Sequence, residues 1–90
     1  MFFVYILHGL KDYNLYIGFS GDLNNRLKYH NEGKVKSTKG RRPFRLIFYE
    51  AYINKYDAKR REQYFKTTKG KKALKLMLRM YFDLLAGPIV

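Results

Sequence analysis

Two runs of aromatic and β-branched residues stand close together near the amino terminus, Phe2-Phe3-Val4-Tyr5-Ile6-Leu7 and Leu15-Tyr16-Ile17-Gly18-Phe19-Ser20. Such runs favour extended backbone, and the Gly9-Leu10-Lys11-Asp12-Tyr13-Asn14 stretch between them carries the residue types that turns prefer. A β-hairpin with a loop of five or six residues follows. Alternate strand residues share a face, so Phe3, Tyr5 and Leu7 form one set and Asn14, Tyr16, Gly18 and Ser20 another. With both sets on one side of the sheet, Tyr5 and Tyr16 are neighbours and Gly18 leaves space beside them.

The hairpin is followed by an N-cap at Asp22 and a helix to about residue 32, with Gly33 as its stop. Leu23 and Leu27 form a thin inward stripe that continues to His30, with Arg26 at its edge. A cation and an imidazole one turn apart on a core-facing stripe call for an explanation, because charged groups are seldom buried without partners. Residues 34–43 lack apolar periodicity and read as a basic loop, with Lys34, Lys36, Lys39, Arg41 and Arg42. Phe44 to Tyr52 read as a third strand, whose nearly continuous apolar run from Leu46 to Tyr49 implies cover on both faces. A helix then begins with Asn54 or Asp57 as cap and breaks at Gly70. Its stripe Ala58, Glu62, Phe65 turns a carboxylate inward, where a nearby cation is expected. A last helix runs from about Lys71 to Leu85 and ends at Gly87-Pro88.

The predicted fold class is therefore α+β: one domain over residues 1–90, a small three-stranded antiparallel sheet flanked by about three helices in the order β-β-α-β-α-α. A chain of ninety residues has a small core, burying about 60–65% of the surface its unfolded chain exposes, and nine tyrosines and seven phenylalanines help to fill it. Without cysteine, neither disulfides nor thiolate metal sites are available. With no basic-then-apolar leader and no run of about 18 apolar residues, the expectation is a soluble, cytoplasmic protein without a membrane partner.

Net charge bears on function. A formal charge of +12 sets up a field that attracts polyanions, nucleic acid first among them. Six of the nineteen Lys and Arg lie between Lys34 and Arg45, and ten between Lys55 and Arg79. Lys34, Lys36, Lys39, Arg41, Arg42 and Lys66 are the candidate phosphate contacts.

Taken singly, the inward polar residues have ordinary explanations: core tyrosines, a surface arginine, a packed histidine, a glutamate paired with Arg61 or Lys66. Together, Val4-Tyr5-Ile6, Tyr16-Ile17-Gly18, Arg26, His30 and the inward Glu62 resemble the GIY-YIG nuclease family, in that family's order. The likeness extends from Phe3 to about Leu78. DLNNRLKYH (22–30) and AKRREQYFKTTKG (58–70) are similar to small stand-alone bacterial members and to the N-terminal nuclease domain of the excinuclease component that makes an incision during nucleotide excision repair. The resemblance implies a metal-dependent endonuclease cutting phosphodiester bonds, in DNA rather than RNA, in repair or processing. It implies Tyr16 as the base on the attacking water or its holder, Tyr5 alongside, the Gly18 backbone leaving room for substrate, Arg26 on the phosphoryl charge, and Glu62 holding one Mg²⁺ or Mn²⁺ ion. His30 occupies a position that carries His or Tyr in the family.

One carboxylate suffices for an ion that keeps most of its waters, and an arginine fork suits the nonbridging oxygens. Two departures stand out. Phe3-Val4-Tyr5 replaces Gly-Ile-Tyr, keeping the tyrosine. Phe19 replaces a lysine of the excision-repair relative, which removes one cation from the neighbourhood of Tyr16 and leaves the general base open between Tyr16 and His30. The alternative reading is a nucleic-acid-binding module with weak or no cleavage that acts with a protein partner supplying specificity.

Overall fold

The computed structural model describes residues 1–86 of the chain. The elements are β1 (Phe2–Gly9), β2 (Leu15–Ser20), α1 (Leu23–Asn31), a 3₁₀ turn (Lys39–Arg41), β3 (Phe44–Tyr52), α2 (Lys55–Lys66), α3 (Thr68–Met77) and α4 (Arg79–Ala86). The strands form one antiparallel sheet in the order β2-β1-β3. The predicted α+β class and strand topology hold, with one more helix.

β1 is the central strand, which is why its residues from Val4 to Gly9 are all buried. Its even positions Val4 and Ile6 join Ile17, Ala58, Phe65 and Leu74 in a core between the sheet and helices α2 and α3. Its odd positions Tyr5 and Leu7 join Phe44 in a second core, which Leu23 and Leu27 of α1 cover. The sheet is thus sandwiched between α1 and the α2-α3 pair.

The hairpin has the expected loop. Gly9 and Asn14 close it through Gly9 N–H donating to the Asn14 carbonyl (2.9 Å), and Tyr13 adopts a left-handed conformation (φ 60°) inside it. Asp22 caps α1 by accepting from the Asn25 N–H. At the other end Gly33 (φ 75°) donates to the His30 carbonyl and Lys34 to that of Tyr29, the paired bonds of a Schellman stop, for which a positive φ is required.

Three expectations are corrected. The apolar run in β3 is covered on both faces only in part: β3 is an edge strand, and Tyr49, on the α1 side, is half exposed. The register shifts at Ile6/Leu7, so that β3 carries one extra residue there. Ile47 and Phe48 consequently both pack on the α2-α3 side while Leu46 packs on the α1 side, and a bulge accounts for the unbroken run.

The second correction is the break between α2 and α3, which falls at Thr67. That residue ends α2 and caps α3, its Oγ1 donating to the Tyr64 carbonyl (2.6 Å) and accepting from the Gly70 N–H (3.0 Å). Gly70 lies buried in the first turn of α3, where a Cβ would overlap the Tyr64 carbonyl. It is a point of close helix approach, not a stop. Third, the predicted last helix divides into α3 and α4 around Leu78 (φ −107°, ψ 23°). The predicted stop at Gly87-Pro88 lies outside the described residues.

A methyl group at Gly70 must displace backbone. Gly70→Ala is expected to cost about 1–3 kcal/mol, a fall in Tm on the order of 4–20 °C for a chain of this size. Gly21→Ala and Gly40→Ala, where an added Cβ meets no atom within 4 Å, should leave Tm nearly unchanged in the same thermal melts.

Candidate active site

The site is built around a tyrosine in the central strand. Tyr5 pairs with Gly18 across the hairpin and Leu7 with Tyr16, so Tyr5 and Tyr16 are diagonal neighbours on one face, their ring centroids 6.3 Å apart. A Cβ on Gly18 would strike the Tyr5 ring at Cζ and Oη. The space that Gly18 leaves is therefore occupied by Tyr5, whose ring lies across the glycine with 1% of the residue exposed.

Helix α1 delivers Arg26 and His30 to this phenol. Arg26 Nε donates to Tyr5 Oη at 3.4 Å, a bond that, with the nearby Tyr16 phenol, pushes its already high pKa further up. His30 is fully buried among the rings of Tyr5, Tyr16 and Phe44, at centroid distances of 5.8, 4.9 and 5.8 Å. Its Nε2 lies 2.9 Å from Tyr5 Oη and its Nδ1 2.8 Å from Thr38 Oγ1. The position is fixed by the next residue, Asn31, whose side chain accepts from the Phe44 N–H (2.7 Å) and donates to the Phe44 carbonyl (3.2 Å), fastening the end of α1 to the start of β3.

Electrostatics follow from this burial. Desolvation, reinforced by the Arg26 charge, holds His30 down to a pKa of about 4, so the imidazole is neutral at neutral pH. Burial also raises the pKa of Tyr5, opposed by the bond from Arg26 and aided by Tyr16 and Glu62. Tyr16 is only half buried.

Glu62 comes from α2, on the inward stripe with Ala58 and Phe65, and is 8% exposed. Its helix is clamped at the preceding residue: Arg61 donates to both carboxylate oxygens of Glu50 on β3 (2.9 and 3.2 Å). The expected cation is Lys66, with Nζ 3.2 Å from Glu62 Oε2. The carboxylate is near enough to Tyr5 for its charge to act on the phenol. No group of three His, Cys, Asp or Glu side chains suited to a metal occurs among the described residues. Nor is any side-chain oxygen there both buried and unpartnered, so the second oxygen of Glu62 reaches water. One carboxylate open on one side fits an ion that keeps most of its waters and takes other ligands from a phosphate.

Phe19, the departure from the relatives, faces the other way from Tyr16. It stacks on Phe2 with centroids 6.1 Å apart, under the ammonium of Lys59 at 4.3 Å. The cation beside Tyr16 is Arg26.

The basic loop is part scaffold, part open charge. Arg41 Nε donates to Asp12 at 2.6 Å, with its guanidinium over Phe44 at 5.4 Å, which ties the loop to the hairpin turn. Lys34 pairs with Glu32 at 3.1 Å. Lys36, Lys39 and Arg42 are exposed, and no ion pair among the described residues involves them. The loop also carries a residue that sequence reasoning passed over, the fully buried Thr38. A threonine within Ser37-Thr38-Lys39-Gly40 looks like any solvated loop residue, and nothing in the local pattern marks it.

A profile of the GIY-YIG catalytic domain matches residues 1–75. A UPF0213 protein of Clostridium perfringens is 41% identical over 78 residues, which span 86% of this chain and 83% of that protein. A UPF0213 protein of Staphylococcus aureus is 42% identical over 76 residues, 83% of this chain and 92% of its own. The solution NMR structure of the UPF0213 protein BH0048 from Bacillus halodurans is similar at a TM-score of 0.52 and 37% identity, with 98% of this chain and 89% of that chain covered.

The neutral imidazole has a measurable consequence. His30 titrates near 6.5 when unfolded and near 4 in the fold, so between those values the unfolded chain binds more protons. The stability contribution is complete above about pH 6.5, declines as the pH falls, and stops declining below about 4. The two values correspond to a loss on the order of 3 kcal/mol. Urea unfolding at pH 7 and pH 4.5 should show wild type losing about 2–3 kcal/mol more than His30→Gln, and equal losses would contradict a buried neutral ring.

Proposed function

Because the chain belongs to the GIY-YIG family, we propose that it is a metal-dependent endonuclease hydrolysing phosphodiester bonds in nucleic acid, DNA in preference to RNA, in a repair or processing role. The observation that carries this reading is a guanidinium set against a tyrosine pair, with Arg26 bonded to Tyr5 and the Tyr5 ring packed beside that of Tyr16, centroids 6.3 Å apart. The arrangement suits an anionic, phosphate-bearing substrate. A core that needed only packing would not turn an arginine toward a buried phenol oxygen.

Tyr16 is the group that meets the attacking water. It is partly exposed, whereas His30 is sealed off with both ring nitrogens engaged. As phenolate, its own proton having passed to solvent, Tyr16 takes the proton of the attacking water beside the Arg26 guanidinium. Arg26 spends Nε–H on Tyr5 and has its remaining N–H groups for the nonbridging oxygens of the phosphate, where preorganised donors are most effective. Glu62 would hold the divalent ion, Mg²⁺ or Mn²⁺, in place of its present partner Lys66. The ion, when bound, supplies Lewis-acid stabilisation of the leaving oxygen.

The pairing of Glu62 with Lys66 also favours a second reading. A carboxylate that stays on its ammonium holds no ion, and the protein is then a nucleic-acid-binding module acting with a partner. In either reading Lys36, Lys39 and Arg42 are the solvent-facing phosphate contacts. No helix among the described residues is long and apolar enough to cross a membrane.

Labelled single-stranded, duplex and branched DNA, and RNA, distinguish the readings. Cleavage should require Mg²⁺ or Mn²⁺ and fall by about 100-fold or more in Arg26→Ala and Glu62→Ala, with binding within about threefold of wild type. Retention of every substrate with no cutting by wild type would establish the binding module instead. Affinity itself should fall steeply with salt, and replacing Lys36, Lys39 and Arg42 together by Ala should flatten the log–log slope by about 2–3. An unchanged slope would remove the loop from the interface.

A further inference from the structure

Tyr5, Arg26, His30, Thr38 and the carbonyl of Val35 form one continuous chain of hydrogen bonds, and only one direction of protons satisfies it. Thr38 Oγ1 is 3.4 Å from the Val35 carbonyl oxygen, which can only accept. With the threonine proton on Val35, the oxygen is free to accept at its contact with His30 Nδ1, 2.8 Å away; what excludes the opposite sense is the Tyr5 end of the chain. His30 then carries its proton on Nδ1, and Nε2 becomes an acceptor for Tyr5 O–H at 2.9 Å. The Tyr5 oxygen, with its proton committed to His30, has a lone pair for Arg26 Nε–H. In the reverse direction His30 Nε2–H and Arg26 Nε–H would both donate to Tyr5, whose own proton would find no acceptor among these bonds. A buried hydroxyl proton with nowhere to go is costly, and the forward direction avoids it.

We propose that Thr38 is a positioning residue of the active site: its hydroxyl holds His30 as the Nδ1–H tautomer and so turns the Tyr5 O–H inward, leaving the Tyr5 oxygen to anchor Arg26. The loop that carries the threonine is placed for this. Thr38 is fully buried, its N–H donates to Val35 O (3.1 Å) and its carbonyl accepts from Arg41 N–H (2.9 Å). Arg41 is tied in turn to Asp12. The basic loop is thus built to press one hydroxyl against the back of the imidazole, on the side away from Tyr5. The tautomer of a histidine is decided by what its other nitrogen meets, and here that partner is Thr38. A site whose arginine must be aligned to within tenths of an ångström depends on such supporting contacts.

The consequence for cleavage rests on the phosphodiesterase reading, but the tautomer does not, so the two are tested separately. In ¹⁵N-labelled wild-type protein at pH 7, long-range ¹H–¹⁵N spectra of His30 should show a protonated, pyrrole-like Nδ1 and an unprotonated, pyridine-like Nε2. The opposite pattern overturns the proposal whatever the protein catalyses. Thr38→Val keeps the shape and removes the acceptor, so the Nδ1–H tautomer loses part of its preference; the His30 nitrogen pattern should move toward Nε2–H, and the Arg26 Nε–H resonance should move. Thr38→Ser should restore both. If wild type cleaves, Thr38→Val should lower kcat by about tenfold with KM changed less than twofold, and Thr38→Ser should recover to within about twofold. A valine variant with wild-type nitrogen shifts, or a serine variant no better than valine at equal folded fraction, would overturn the assignment.

Discussion

Everything at the site leans on Tyr5. It stands in the only strand with neighbours on both sides, between the sandwich's two helical layers, and its ring lies over a glycine because no other residue at position 18 would leave room. The central position gives the phenol a rigid mount, and burial raises the cost of ionising it. What would be a buried polar liability becomes a junction: its oxygen receives Arg26 and its proton is placed on His30. Helix α1 contributes both partners from one face because residues four apart share a stripe. The Asn31 clamp onto Phe44 then prevents that helix from drifting along the sheet.

Glu62 reaches the region by an independent route. Helix α2 packs on the opposite layer and is oriented by the two-bond attachment of Arg61 to Glu50, so the carboxylate and the phenol-arginine cluster are positioned by separate fastenings on the same sheet. The domain can keep Tyr5, Arg26 and His30 in register whether or not Glu62 is paired with Lys66. That separation lets Glu62 change partners without disturbing Tyr5, Arg26 and His30.

Much of this was legible in the residues because it is local. The parity of the hairpin put Tyr5, Tyr16 and Gly18 on one face, and the spacing of Arg26 and His30 put them one turn apart. The same parity already places Phe19 opposite Tyr16, so the loss of a lysine at position 19 mattered less than supposed; the nearby cation comes from α1. What could not be read depends on contacts between distant segments. The β3 run looked covered on both faces throughout, whereas a bulge sets Ile47 and Phe48 on one face and Tyr49 stands half exposed on the other. Gly70 looked like a helix end because glycine often is one, whereas it is needed for the approach of α3 to the Tyr64 carbonyl. Thr38 was invisible because irregular loops have no period from which an inward residue can be picked out.

The strand order has a further consequence during synthesis. β1 and β2 emerge from the ribosome together and can zip at once, but the second neighbour of β1 ends only at Tyr52. At roughly 5–20 residues per second, the other hydrogen-bonding edge of the most apolar strand waits on the order of seconds for its partner. Over that interval the nascent hairpin carries its tyrosine junction half built, with α1 available to cover one face and nothing yet made to cover the other. The order in which the chain is read therefore completes the layer of Tyr5, Arg26 and His30 before the layer that carries Glu62 exists.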